Sequence, residues 1–338
     1  RRLPQWLAGF GLPVLLLVVL FLASFLVGQY AVSPRELALV IHSRVTGVPH
    51  DLPAVIDTIV FQIRLPRVIG AILVGAALAA SGATYQSMFR NPLVSPDILG
   101  VAAGAGLGAA LGIFLSLPVA GIQLLAFGFG LATVLSVYLI SQGVRGHDPI
   151  LVLVLAGVVM GTLAGACISL LKYLADPYDQ LPAITFWLLG SLAAVGFNDV
   201  LAVLPLTVIG LVPLFLLRWR MNLMSLGDDE ARALGVNAAR MRLVFIGSAT
   251  LVTAAAVSVS GVIGWVGLII PHMARALVGP DFARLLPASM LLGAGFLLGV
   301  DDVARGATRV ELPLGILTAV LGAPVFLWLL ARARRGWQ

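Results

Sequence analysis

The residues that could do chemistry are few, and their spacing excludes most of it. P-loop nucleotide hydrolysis needs a lysine behind a glycine-rich turn, so that its ammonium reaches the phosphates. Lys172 is the one lysine in the chain, and no such glycine frame precedes it. The histidines, His42, His50, His147 and His272, are scattered without metal-ligand spacing, and Cys167 is the single cysteine. Neither a zinc site nor a disulfide framework can be built from that set. No Gly-x-Ser-x-Gly or His-Glu-x-x-His string offers a hydrolytic nucleophile or base. The expectation is a chain with no catalytic residue, no metal site and no cofactor of its own.

One stretch concentrates charge. Arg218 to Arg242, RWRMNLMSLGDDEARALGVNAARMR, is a long polar break in an otherwise apolar second half. Within it Gly227, Asp228, Asp229, Glu230, Ala231, Arg232, Leu234 and Gly235 read as a very short helix. The acids fall in the first turn, where the helix dipole favours negative charge, and Gly235 stands where a left-handed residue would stop it. Asp228 and Arg232 are spaced to pair across one turn. Met221, Leu223, Met224, Leu226 and Leu234 give the segment more large apolar side chains than a solvated loop requires. That combination describes a docking knob for another protein. An interfacial helix lying on lipid headgroups mixes arginine with leucine and methionine in the same way and is the alternative.

The elements that position this knob must be membrane spans. Of 338 residues, 60% are hydrophobic and 11% charged, against about a quarter charged in soluble domains. A pI near 10.2 does not indicate nucleic acid, because the arginines are dispersed among short loops. A span needs roughly 20 apolar residues. About ten candidates meet that pattern, near 11–30, 64–84, 96–116, 120–142, 149–171, 195–217, 240–259, 261–278 (broken), 286–300 and 313–332. The fold expected is therefore all-α and polytopic, a single transmembrane domain over 1–338. The first run follows Arg1 and Arg2 but is too long for a signal-peptide core, and it counts as a span. An even number of spans puts both termini on one side. Most arginines, including the five of 218–242, fall on that side, which the positive-inside rule makes cytoplasmic.

Small residues recur at four-residue spacing as Gly100, Gly104, Gly108 and Gly112, and again as Gly157, Gly161 and Gly165. Such rows let helix backbones approach closely and indicate packing; that the second row instead borders a pathway or a subunit contact is the alternative. Pro92, Pro96, Pro271, Pro313 and Pro324 imply interrupted helices, with a break expected near Pro271. Arg64 and Arg67 stand one turn apart around Pro66 at the start of a span, where the dipole disfavours cations; snorkelling to lipid phosphates is one answer. Every acid lies in a loop or at a span edge, which weakens an ion-coupled carrier.

Four strings carry a resemblance: 64–108 (RLPRVIGAILVGAALAASGATYQSMFRNPLVSPDILGVAAGAGLG), 226–236 (LGDDEARALGV), 260–275 (SGVIGWVGLIIPHMAR) and 311–330 (ELPLGILTAVLGAPVFLWLL). In order and spacing the chain resembles FecCD-type permeases of ABC importers for ferric siderophores, haem and cobalamin. The resemblance implies a ten-helix subunit of the bacterial cytoplasmic membrane that pairs with a second permease, as a homodimer, two ATPase subunits that bind ATP and Mg, and an extracytoplasmic binding protein. It implies that 226–235 couples to the ATPase and that Arg64, Arg67 and Arg305 meet acidic residues of the binding protein. Asp302 stands where relatives usually have an apolar residue. An ion-coupled secondary transporter and a non-transporting scaffold are the competing classes.

Overall fold

The protein is described here by a computed structural model covering residues 10–144 and 149–333. Arg1, Arg2, Arg145, His147, Arg334 and Arg335 lie outside the described residues. Among those described there is no strand. Six helices are long and apolar enough to cross a membrane: Ala54–Met88, Val119–Gly143 (α6), Ile150–Leu174 within α7 (Pro149–Leu174), Phe197–Leu216 (α9), Ala238–Ser260 (α12) and Phe282–Gly306 (α14). Shorter apolar helices lie where the other four spans were expected: α1 (Leu12–Ser24), α5 (Val101–Phe114), α13 (Val266–Val278) and Leu314–Trp328 within α15 (Leu314–Ala333).

Two helices arise where no span was expected. α2 (Pro34–Thr46) lies in the outer connection and is not apolar. Its start is local chemistry: the Ser33 hydroxyl accepts from the Glu36 N–H at 3.2 Å, and the Ser33 N–H donates to Glu36 Oε2 at 2.7 Å. This reciprocal capping box is followed by Pro34 in the first turn and ended by left-handed Gly47. α8 (Gln180–Leu189) is apolar but only 10 residues long, and it merged with the preceding loop in the hydropathy pattern.

The helix breaks explain why two spans are short. Segment 96–116 opens with a 3-10 turn, Pro96–Leu99, then Gly100 at φ 75 before α5. The Asp97 carboxylate accepts from the Ala102 N–H at 2.9 Å and satisfies that helix start. The second break is not at Pro271, as expected, but upstream at Gly261–Trp265, where both end residues have positive φ. α13 runs through Pro271 because its freed carbonyls have another donor. Gln86 Nε2 donates to Leu268 O at 2.9 Å and approaches Gly267 O at 3.4 Å.

Helix α4 (Leu65–Met88), continuing from α3 (Ala54–Asp57) through a π-helical stretch at Thr58–Arg64, is the buried axis. In lipid there is little hydrophobic drive between helices, so association depends on close backbones and polar links. A Cβ at Gly75 would collide with Gly293 O of α14, and one at Gly82 with Gly267 O of α13. Polar links join α4 to α12: Thr253 Oγ1 donates to Ser81 Oγ at 2.7 Å, and the Tyr85 and Thr250 hydroxyls are 3.0 Å apart. Such bonds each contribute about 0.6 kcal/mol in a membrane, so tight packing carries most of the association.

Candidate functional site

The 218–242 segment folds as α10 (Arg218–Met224), α11 (Asp228–Ala233) and the start of α12. α11 begins after Gly227, which adopts φ 142 and whose missing Cβ leaves room for the Glu230 carboxylate to fold over it. It ends as the sequence pattern predicts. Gly235 adopts φ 80, Val236 N–H donates to Ala231 O at 2.8 Å, and Gly235 N–H donates to Arg232 O at 2.9 Å. That is a Schellman closure, with Val236 and Ala231 both buried beneath it. Asn237 then caps α12 by accepting from the Arg240 N–H at 3.0 Å.

The apolar side chains of the knob divide between two jobs. Met221 and Met224 of α10 are buried and anchor the segment to the bundle, with Leu223 half-buried, so they are not part of an outward face. Leu226 and Leu234 remain 57% exposed on either side of α11. Asp229, Glu230 and Arg232 are exposed between them. Arg232 pairs with Asp229 at 3.4 Å; the expected Asp228–Arg232 pair falls on a side chain outside the described ones. Both partners of the pair are solvated, so it contributes at most about 1 kcal/mol. What the segment presents is two leucines set in a charged rim.

At the opposite end of the bundle the three arginines expected to dock a binding protein are inside the fold. Arg64, Arg67 and Arg305 are 4%, 6% and 4% exposed. Arg67 donates to both Asp301 oxygens of α14 (2.9 to 3.1 Å) and to both Glu311 oxygens (2.8 and 2.9 Å). Arg305 pairs with Asp302 and donates to Ser24 O at 2.9 Å, while Ser24 Oγ donates to Asp302 Oδ2 at 2.8 Å. Arg64 donates to the carbonyls of Phe25 and Tyr30. Neither snorkelling nor free docking describes groups held this way. The dipole argument also fails, because the helix extends back to Ala54 and Arg64 is not at its start. What the sequence could not reveal is that Asp301 and Glu311 reach Arg67 from 234 and 244 positions away, while Asp302 reaches Arg305 from the same helix.

The glycine rows behave differently. Gly104 and Gly108 seat α5 against Phe129, Thr133 and Leu125 of α6, and Gly112 sits against Ile122. In α7, Gly157 presses on the Ile98 carbonyl, whereas Gly161 has only Ala103 and Gly100 at 4.0 Å and Gly165 has nothing within 4 Å. Of this second row, Gly157 alone is in close packing contact among the described residues.

The FecCD transport family matches residues 16–332. The chain belongs to this family. Among its FecCD relatives, the molybdate import system permease MolB of Haemophilus influenzae is 40% identical over 97% of this chain and 96% of its own length. A probable iron chelatin permease of Helicobacter pylori is 46% identical over 82% and 84%. The haemin permease HmuU of Yersinia pestis is 37% identical over 99% and 98%. A solved structure described as an inward-facing conformation of a metal-chelate type ABC transporter matches with TM-score 0.85 at 41% identity, covering 96% of this chain and 98% of that one. PsaBC from Streptococcus pneumoniae, at TM-score 0.60 and 18% identity, shares the fold.

One further feature of this FecCD chain escaped the sequence reading. A cavity of about 250 Å³ lies where the two helix breaks meet, lined by Pro96, Asp97, Thr253, Gly264 and Trp265 among others. Irregular backbone at membrane depth is tolerated where it lines such a space. Pro96 and the glycines at 261 and 264 were the available signal, but only the fold brings them together. Among the described residues no cluster of His, Cys, Asp and Glu could hold a metal ion.

Proposed function

We propose that this chain is the translocation subunit of an ATP-driven importer of metal chelates: ferric siderophore, haem or cobalamin. The family membership and the iron chelatin, haemin and cobalamin permeases among its relatives support the class. The observation that carries the mechanism is the pair of exposed leucines, Leu226 and Leu234, held in an acidic rim by a closed and anchored loop. Such a knob fits a cleft on a partner that hydrolyses ATP with its own Mg, and this chain then needs no nucleotide chemistry. Two copies of the chain would frame the path, with two ATPase subunits on the side of the 218–242 loop. An extracytoplasmic binding protein would deliver cargo at the other end. The setting is the bacterial cytoplasmic membrane with both termini and the loop cytoplasmic, in keeping with the arginine distribution.

The outer arginines serve this reading as a structural lock, because docking through their charges would require breaking buried internal pairs. A second cargo, a metal oxyanion, is favoured by one observation: the near full-length likeness to a molybdate permease. The test is reconstitution of the chain with its ATPase and binding protein in vesicles, with labelled ferric chelate, haem, cobalamin and molybdate offered separately. ATP-dependent accumulation of a chelate is expected. Accumulation by this chain alone, dissipated by an ionophore, would replace the proposal with an ion-coupled carrier.

A further inference from the structure

Beside α10 a cavity of about 400 Å³ is walled by the ends of α4, α13 and α14. Its charged groups are all positive or neutral. Arg275 lies one turn before the end of α13 and is half-buried, with His272 three residues earlier and also on the wall. Arg90, two residues past the end of α4, contributes a second guanidinium. Gln86 ties this wall together: its Nε2 donates to Leu268 O, and its Oε1 accepts from Arg275 Nη1 at 3.3 Å. On the facing wall Asn222 is held by Asp281 and by the Phe282 N–H.

Among the described residues neither Arg90 nor Arg275 has a carboxylate within ion-pair distance. The nearby acid, Asp281, is committed elsewhere, accepting from Asn222 and the Ala283 N–H and facing Arg284 at 3.9 Å. Arg275, half-buried with no opposite charge, pays desolvation without a Coulombic return, and the exposed Arg90 adds a second positive charge at the rim. The cavity is therefore built for an anion. Its depth indicates which. Arg275 is three residues from the end of α13, about 4.5 Å along the axis at 1.5 Å per residue, which is headgroup depth. Met273 and Leu277 of the same helix are exposed, as residues facing lipid are.

We propose that this cavity binds the phosphate of an anionic phospholipid from the leaflet on the side of the 218–242 loop, with Arg275 and Arg90 as its ligands. The bound headgroup braces α10, whose Met221 also lines the cavity, and so steadies the base of the knob. The site does not depend on which solute is carried or on what drives transport.

The full chain, purified in detergent and stripped of lipid, is titrated with phosphatidylglycerol, phosphatidylcholine or inorganic phosphate. Bound lipid is counted by native mass spectrometry, and melting temperature is read in parallel. One retained phosphatidylglycerol is expected, preferred over phosphatidylcholine by about tenfold, the scale of one or two basic contacts at a membrane surface. The preference is expected to disappear in the Arg90→Gln/Arg275→Gln double variant and to fall in Arg90→Gln alone, whose position outside the helices keeps the bundle intact. Equal retention of both lipids, or an undiminished preference in Arg90→Gln and in the double variant, would overturn the site. Inorganic phosphate raising the melting temperature as far as phosphatidylglycerol would overturn the lipid assignment in favour of a soluble anion. Loss of the lipid on assembly with the ATPase would give the cavity to a protein occupant instead.

Discussion

Leu226 and Leu234 are each 57% exposed, so more than half of each is available to a partner. Their value lies in a partner, where fully burying a leucine side chain contributes on the order of 2 kcal/mol. Leu234→Asp is therefore expected to lower permease-stimulated ATPase activity at least tenfold in the reconstituted complex while leaving the melting temperature of the isolated chain unchanged. An unaltered stimulation would move the coupling contact elsewhere. Asp301 makes the opposite case. It is fully buried between Arg67 and Arg305, and removing one member of a buried charge network costs about 3–5 kcal/mol because the remaining charges lose their compensation. Asp301→Ala should fall sharply in thermal stability in detergent, well beyond the effect of an exposed acid such as Asp229→Ala.

At the scale of elements, the capping box of α2 is the clearest titratable device outside the spans. The Ser33 backbone N–H, and next the Ser33 hydroxyl, hold the Glu36 carboxyl below its usual value of 4.5. A carboxyl depressed in the folded state adds stability that is fully present above its unfolded value and is lost as pH falls through the folded one. Amide exchange at the start of α2 should therefore be steady above pH 4.5, after correction for intrinsic rates, and accelerate below it; Glu36→Gln should flatten that dependence. The longer helices obey a different rule. α13 tolerates Pro271 because Gln86 donates to the carbonyl of Leu268 and approaches that of Gly267, so the break moves to Gly261–Trp265, where positive φ is required.

For the molecule as a whole, the two ends of the bundle do unlike work. One end locks Arg67 and Arg305 with Asp301, Asp302 and Glu311 into a largely buried network that ties α4 and α14 to the approach to α15, with Arg64 held beside it by backbone carbonyls. The other end projects a small helix that is well closed yet exposes apolar side chains. Topology is the test at this scale. A cysteine replacing Glu230 should react with an impermeant thiol reagent in inside-out vesicles and not in intact cells; labelling in intact cells would invert the orientation and remove the ATPase from reach of the knob.

The sequence by itself determined that this chain is an all-helical membrane protein, six of whose described helices are long and apolar enough to cross a membrane, with a short acidic helix closed by Gly235. Those features follow from hydropathy and from local backbone chemistry, which act within a few residues. It could not determine the state of Arg64 and Arg67, which looked like free outer charges until the carbonyls of Phe25 and Tyr30 were placed beside the first and Asp301 and Glu311 beside the second, nor that Arg305 is buried with the acids of its own helix. Nor could it divide Met221 and Met224, which anchor, from Leu226 and Leu234, which project, since burial depends on which face of a helix meets the bundle. The cavities at Asp97 and at Arg275 are likewise tertiary. Each is assembled from segments distant in the chain, and only packing decides which side chains share a space.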